Sequence, residues 1–257
     1  MLLTLQNPNR EIEKVTDFIQ STLKRAHKKN VVIAVSGGID SALSLGLLSK
    51  TIPLNNIYPI FLPYDKQDMG DAKLLSKHLN IPGENWQEVN IEKIVNTVAK
   101  LQEINSDDHL RLGNIMARSR MIVVYDLAKK LNALVCGTEN KSEKYLGYFT
   151  RFGDEASDFE PIVHLYKTQV RQLVESMELP EIFLTKDPSA GLWEDQTDEQ
   201  ELGFSYKEAD LIIDQIYFDK MALDSFLNNF DIDEETVDKV INRVNSVKFK
   251  HQVPYTL

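Results

Sequence analysis

Two hydrophobic rhythms alternate along the chain. Residues 10–28 set Ile12, Val15, Phe18, Ile19 and Leu23 among charged neighbours at three- and four-residue intervals, the stripe of an amphipathic helix. Asn30 breaks that stripe. Val31 to Val35 follow without a polar residue, a β-branched run too short for a helix and suited to a strand buried on both faces. A glycine-bearing turn at 36–41 then leads into a helix at 42–49. The cycle repeats, with strands predicted at 57–62, 86–90 and 133–137 and helices at 68–79, 91–104 and 114–131. Pro59 weakens the register of the second strand, since proline cannot donate to a ladder. Strand, turn, helix in succession predicts an α/β fold, a doubly wound parallel sheet with helices on both faces.

The last third loses this cycle. Residues 148–165 have no period but are dense in Gly, Asp, Phe and Pro, which reads as an ordered functional loop. Residues 168–177 and 207–247 are helical and 188–197 irregular. With no repeat or Pro/Ser-rich linker, the expectation is one domain over 1–257 with a helical C-terminal extension.

Charge narrows the function classes. Lysine plus arginine number 29 and aspartate plus glutamate 39, a net charge of −10. Such a chain lacks the broad basic face that nucleic acid or an anionic membrane requires, but one basic pocket for a small anion remains open. The apolar runs are too short to span a bilayer, and the N-terminus has neither a basic region nor a small-residue cleavage site. A single cysteine, Cys136, excludes an internal disulfide. These features suit a reduced, cytoplasmic enzyme. Histidines 27, 78, 109, 164 and 251 show no zinc-like spacing.

Ligands of parallel sheets bind beyond the carboxyl ends of the strands. There, after the first strand, stands Ser36-Gly37-Gly38-Ile39-Asp40-Ser41. The glycines let backbone amides approach an anion, and the serines add hydroxyl donors. Asp40 beside a phosphate is repulsive unless a divalent cation lies between them, so the turn asks for phosphate and magnesium. It is not a Walker loop, because no Gly-Lys-Ser/Thr closes it. A plain strand-to-helix turn capped by Ser36 is the simpler alternative, disfavoured by Ser, Asp and Ser at these offsets. The turn resembles the loop of the ATP pyrophosphatase (adenine nucleotide alpha hydrolase-like) superfamily.

Four further segments carry candidate chemistry. Arg118 and Arg120 lie two apart on the long predicted helix and so face different ways. Gly137-Thr138-Glu139-Asn140-Lys141-Ser142-Glu143 follows the fourth strand and offers Glu143 as a partner of Asp40, or merely a helix start capped by Thr138. Arg151, Asp154, Asp158 and Lys167 crowd into and after the irregular loop, and residues 188–203 read as a lid containing Ser189 and Trp193. Taken alone, each charge is equally a solvated surface group, and Cys136 is simplest as a small buried residue.

In this order and spacing, the five segments resemble ammonia-dependent NAD synthetase from about residue 10 to the C-terminus. The resemblance implies an enzyme, a ligase in which ATP adenylates the nicotinate carboxylate of deamido-NAD, pyrophosphate leaves and ammonia displaces AMP. It implies Ser36, Gly37, Gly38, Ile39, Asp40, Ser41, Thr138, Lys167 and Ser189 for ATP, and Asp40 and Glu143 for Mg2+. It implies Arg118, Arg151, Asp158, Phe249 and Lys250 for deamido-NAD, with Asp40, Glu143 and Lys167 catalytic. A homodimer without nucleic-acid or membrane partners, fed by a separate source of ammonia, is also implied. One segment departs: Phe249-Lys250-His251 stands where the family often reads His-Lys-Arg. Another adenylating enzyme of GMP synthetase type, a tRNA-modifying relative and a non-catalytic dinucleotide-binding protein are the competing readings; Gly147-Tyr148-Phe149-Thr150, the acidity and the retained Asp40 and Glu143 argue against them in turn. The amidase domain of glutamine-dependent relatives has no room here.

Overall fold

A computed structural model describes residues 3–189, 197–252 and 254–255. The N-terminal helix α1 (Pro8–Arg25) is capped by the Asn7 side chain and buries Val15, Ile19 and Leu23, the predicted stripe. Four strands follow in the chain, β1 (Asn30–Ala34), β2 (Ile57–Phe61), β3 (Gln87–Glu88) and β4 (Ala133–Cys136). All pair in parallel in the order β3-β2-β1-β4. Between them run α2 (Ile39–Thr51), α3 (Gly70–His78), α4 (Glu92–Leu101) and α5 (His109–Leu131).

Both faces of the sheet are covered, as the unbroken apolar strands require. Val31, Ile33 and Val35 pack with α1, α2 and the later helix α7 (Lys167–Ser176), while Val32 turns to the side of α4 and α5. Pro59 is accommodated by register. The Ile60 carbonyl faces β1, where it accepts from Val35 N–H (3.0 Å), and the Phe61 carbonyl faces β3, accepting from Val89 N–H (2.9 Å). Pro59, two residues before Phe61, therefore points its missing donor toward β3, which begins only opposite Ile60.

The remainder is helical: α6 (Lys141–Leu146), α8 (Ile182–Thr185), α9 (Asp198–Leu202), α10 (Tyr206–Ile212, continuing as a π-turn Ile213–Phe218), α11 (Leu223–Asn229) and α12 (Glu234–Ser246). Helices α6, α10, α11 and α12 share a second core around Phe226, Ile212 and Val240. The helical stretch predicted at 207–247 is thus three helices, and the long helix predicted from 114 starts at His109 because Asp108 caps it. Among the described residues no helix is long and apolar enough to cross a membrane. Trp193 and the 190–196 stretch of the predicted lid lie outside the described residues.

The order β3-β2-β1-β4 has one consequence for function. The chain steps outward from β1 to β2 and β3, then returns to lay β4 on the other side of β1. The loops leaving β1 and β4 diverge there, opening a crevice at the carboxyl ends of the central strands.

Candidate active site

The glycine turn occupies the β1 side of this crevice. Gly37 has φ +83°, and a Cβ on it would lie 3.2 Å from the Asp71 Cβ, so both conformation and space favour glycine. Ser41 donates to the Gly38 carbonyl (3.0 Å), and Gly38 N–H donates to Ser36 Oγ (3.2 Å), which fixes the curl. Gly38 is the N-cap of helix α2 and offers no side-chain cap, so the first amides of the helix are available to an anion.

The loop after β4 supplies the other side. Asn140, not Thr138, caps α6, its side-chain oxygen accepting from Glu143 N–H (2.9 Å). The Asn140 amide then donates to Asp40 Oδ1 (2.8 Å), joining the two loops across the crevice. Lys167, at the start of α7, completes the junction: its Nζ lies 2.5 Å from Asp40 Oδ2 and 2.8 Å from Glu143 Oε1. The Lys167 side chain is 3% exposed. Burial opposes its charge, but the two carboxylates outweigh burial and hold its ammonium above the usual lysine range. Burial, then the Asp40 charge, push Glu143 up to about 8. Two carboxylates against one ammonium leave the cluster short of positive charge. Paired carboxylate oxygens are the hard donors that a magnesium ion takes together with phosphate oxygens. Among the described residues no group of three His, Cys, Asp or Glu could hold a metal unaided.

Around this cluster lie residues the sequence did not single out. The Tyr206 ring sits 5.1 Å from Lys167 Nζ, and its hydroxyl donates to the buried Asp198 (3.0 Å). Fully buried Asp210 accepts from Ser142 Oγ, Thr168 N–H (3.0 Å) and Thr168 Oγ1 (2.8 Å), while Ser142 Oγ accepts from Lys167 N–H (2.8 Å). Asp210 thereby fixes the backbone that carries Lys167. The spacing from Asn140 to Glu143, that of a capping residue, was a local signal for Asn140. Asp210 had none, since its partners Ser142 and Thr168 are distant in sequence, and Asp198 and Tyr206 meet across the turn at Gly203 at a spacing that no capping or periodic pattern marks.

Four of the residues assigned to deamido-NAD cluster elsewhere along the loop at 147–155. Arg118 donates to the Arg151 carbonyl (3.2 Å), and the Arg151 guanidinium lies 5.3 Å from the Phe249 ring. Lys250 donates to the carbonyls of Gly147 (2.5 Å) and Phe149 (2.8 Å), so its ammonium pins this loop. Asp158 is held at β4, accepting from Val135 N–H (2.7 Å). Arg120 instead binds the Leu62 carbonyl (3.1 Å) and Gln67 (3.0 Å) on the other side of α5, as the two-residue offset demanded. Thr138 is half-buried on the β4 loop. Lys186, three residues before Ser189, pairs with Asp71 (2.6 Å) and so ties that arm to α3 beside the glycine turn.

Fold and site together define a class: a parallel α/β nucleotide-binding protein whose anion-cradling turn and two carboxylates meet at the switch point of the sheet. Comparison with known proteins narrows it. The sequence pattern of the family described as NAD synthase matches residues 11–254, and the chain belongs to that family, ATP-using ligases of NAD biosynthesis. It is 39% identical over 243 residues to the NH3-dependent NAD(+) synthetase of Pyrococcus furiosus, covering 94% of this chain and 93% of the relative. Two solved structures match with TM-score 0.82. One is NMN synthetase from Francisella tularensis (32% identity, 98% of each chain). The other is an NH3-dependent NAD synthetase from Campylobacter jejuni (30% identity, 98% of this chain and 100% of that one).

Proposed function

We propose that this chain makes NAD from deamido-NAD, ATP and ammonia, adenylating the nicotinate carboxylate in the crevice between β1 and β4. The junction of Asp40, Glu143, Asn140 and Lys167 carries this reading. A carboxylate resists attack by ammonia until one oxygen becomes a good leaving group. Transfer to the α-phosphorus of ATP makes that oxygen part of AMP, and the charge moves onto pyrophosphate.

In this reading the amides of the glycine turn, with Ser36 and Ser41, cradle the phosphates at the start of α2. Thr138 and Ser189 contact ATP from the neighbouring loops. Asp40 and Glu143 would hold Mg2+, which when bound would supply positive charge to the phosphates. Lys167 turns its ammonium from the carboxylates to a phosphate oxygen. Arg118, Arg151 and Asp158 bind deamido-NAD, with Phe249 stacked on the Arg151 guanidinium and Lys250 holding the loop in place. The active unit is a homodimer. Helix α5 buries Met116, Val124 and Leu127 against the sheet but leaves Ile122 59% and Leu110 68% exposed, apolar surface suited to a twofold partner.

The test is the product set. Purified protein with ATP, Mg2+, ammonium and deamido-NAD should form AMP, pyrophosphate and NAD in equal amounts; ADP and phosphate would refute it. The Francisella relative described as an NMN synthetase favours a second acceptor, the nicotinate mononucleotide. Comparing kcat/KM for the two acceptors decides between them, and a preference for the mononucleotide would replace the dinucleotide reading.

A further inference from the structure

Next to Asn140 of the junction lies a second pair of carboxylates, Glu139 buried and Glu160 half-buried, faced by a single lysine, Lys144. Glu139, the residue before Asn140, is 7% exposed, and its Oε1 has no hydrogen-bond partner among the described residues. Its Oε2 lies 3.7 Å from Lys144 Nζ, beyond hydrogen-bond distance. Glu160, two residues after Asp158, reaches back to the same place: its Oε2 accepts from Glu139 N–H (3.0 Å) and its Oε1 from Ser157 Oγ (2.7 Å). Glycine at 137 makes the room. A Cβ there would sit 1.7 Å from Glu160 Oε1.

The charges facing the pair come from three elements. Asp154 and Glu155 of the irregular loop repel Glu139, Lys144 of α6 attracts both, and Tyr125 of α5 feels the charge of Glu160. Burial, then the charges of Glu155 and Asp154, push Glu139 up to about 7, and burial, then the charge of Glu139, push Glu160 up to about 8. A buried carboxylate oxygen without a donor is costly unless a cation or donor fills its place. The proposed reaction consumes a small cation with four N–H donors, since ammonia in neutral water is mostly ammonium. The carboxylates of the catalytic junction are already engaged by Lys167 and, in the reading above, by Mg2+.

We propose that Glu139 and Glu160 bind the ammonium ion that supplies the amide nitrogen, with Glu139 Oε1 among its acceptors. The inference rests on the amide-forming reading above. When the nucleophile is released, one N–H bond of ammonium breaks, the electron pair stays on nitrogen and the proton bonds to the Glu139 carboxylate. Ammonia and a neutral Glu139 result, and the proton then passes to water.

Glu139→Gln and Glu160→Gln keep shape and remove charge. Two measurements separate ammonium binding from structure. One is the KM for ammonium at saturating ATP and deamido-NAD; the other is deamido-NAD-dependent exchange of pyrophosphate into ATP, run without ammonium. The proposal expects the ammonium KM to rise about ten- to a hundredfold, as loss of a charge-assisted bond implies. Exchange and the KM for ATP should stay near wild type, and Tm should not fall. An unchanged ammonium KM overturns the proposal, as does loss of exchange together with a lowered Tm, which marks a structural pair. If the wild type itself forms no amide product, the underlying reading fails instead.

Discussion

At the scale of single residues, Lys167 is the economical part of the site. One buried ammonium bridges two carboxylates, one from each loop, so each has a charged partner while the cluster as a whole keeps room for a further cation. Asp40→Asn should keep the fold, because the amide is nearly isosteric, and should lower pyrophosphate exchange on the order of a hundredfold or more. Exchange within a few fold of wild type would remove Asp40 from its role. Lys250 acts at one remove. Its two carbonyl bonds hold the loop that presents Arg151, so Lys250→Ala should weaken deamido-NAD about ten- to a hundredfold and leave the KM for ATP alone. Phe249→His should be tolerated. If Lys250→Ala changes neither KM, residues 248–252 are outside the acceptor site.

At the scale of elements, Asp210 bonds both Ser142 of α6 and Thr168 of α7 from its place on α10. Asp210→Ala would strand those donors, at about 1–3 kcal/mol for each buried group left unsatisfied. Calorimetry should show a lower Tm with loss of activity. Burial pushes Asp210 up to about 6 from 3.8, against the pull of its hydrogen bonds. Its folded form therefore holds the proton more tightly than the unfolded chain does. The resulting stabilisation is whole below about pH 3.8 and fades as pH rises through 6. Glu139, Glu160 and Glu143, raised to about 7, 8 and 8, act in the same direction at higher pH. Tm should fall between pH 5 and 8; a rise would contradict these shifts. Elements were legible in the sequence where periodicity was local, as in α1, β1 and the glycine turn. The strand predicted at 86–90 shrinks to Gln87–Glu88, because it is the edge of the sheet and pairs only with the end of β2. The start of α5 was missed because Leu110 and Leu112 lie among charges and only the Asp108 cap marks it. The meeting of Asp40 with Asn140, a hundred residues apart, depends on strand order, which no local pattern encodes.

At the scale of the molecule, the sheet converts separate sequence segments into one reaction site, and α5 offers the surface for a second copy. Light scattering at micromolar concentration should give the mass of a dimer, and Ile122→Glu should shift it toward monomer with loss of activity; an active wild-type monomer would contradict that. Ammonium should serve as nitrogen donor and ammonia-free glutamine should not, since the described residues include one cysteine, buried, whose thiol burial pushes well above its ordinary range. The central claim is activation of the carboxylate at the α-phosphorus in the crevice between β1 and β4. Isotope transfer tests it most directly. With deamido-NAD carrying oxygen-18 in its nicotinate carboxylate, one labelled oxygen should appear in the phosphoryl group of AMP and none in pyrophosphate. Label in inorganic phosphate accompanied by ADP would place the attack at the γ-phosphorus and contradict the account.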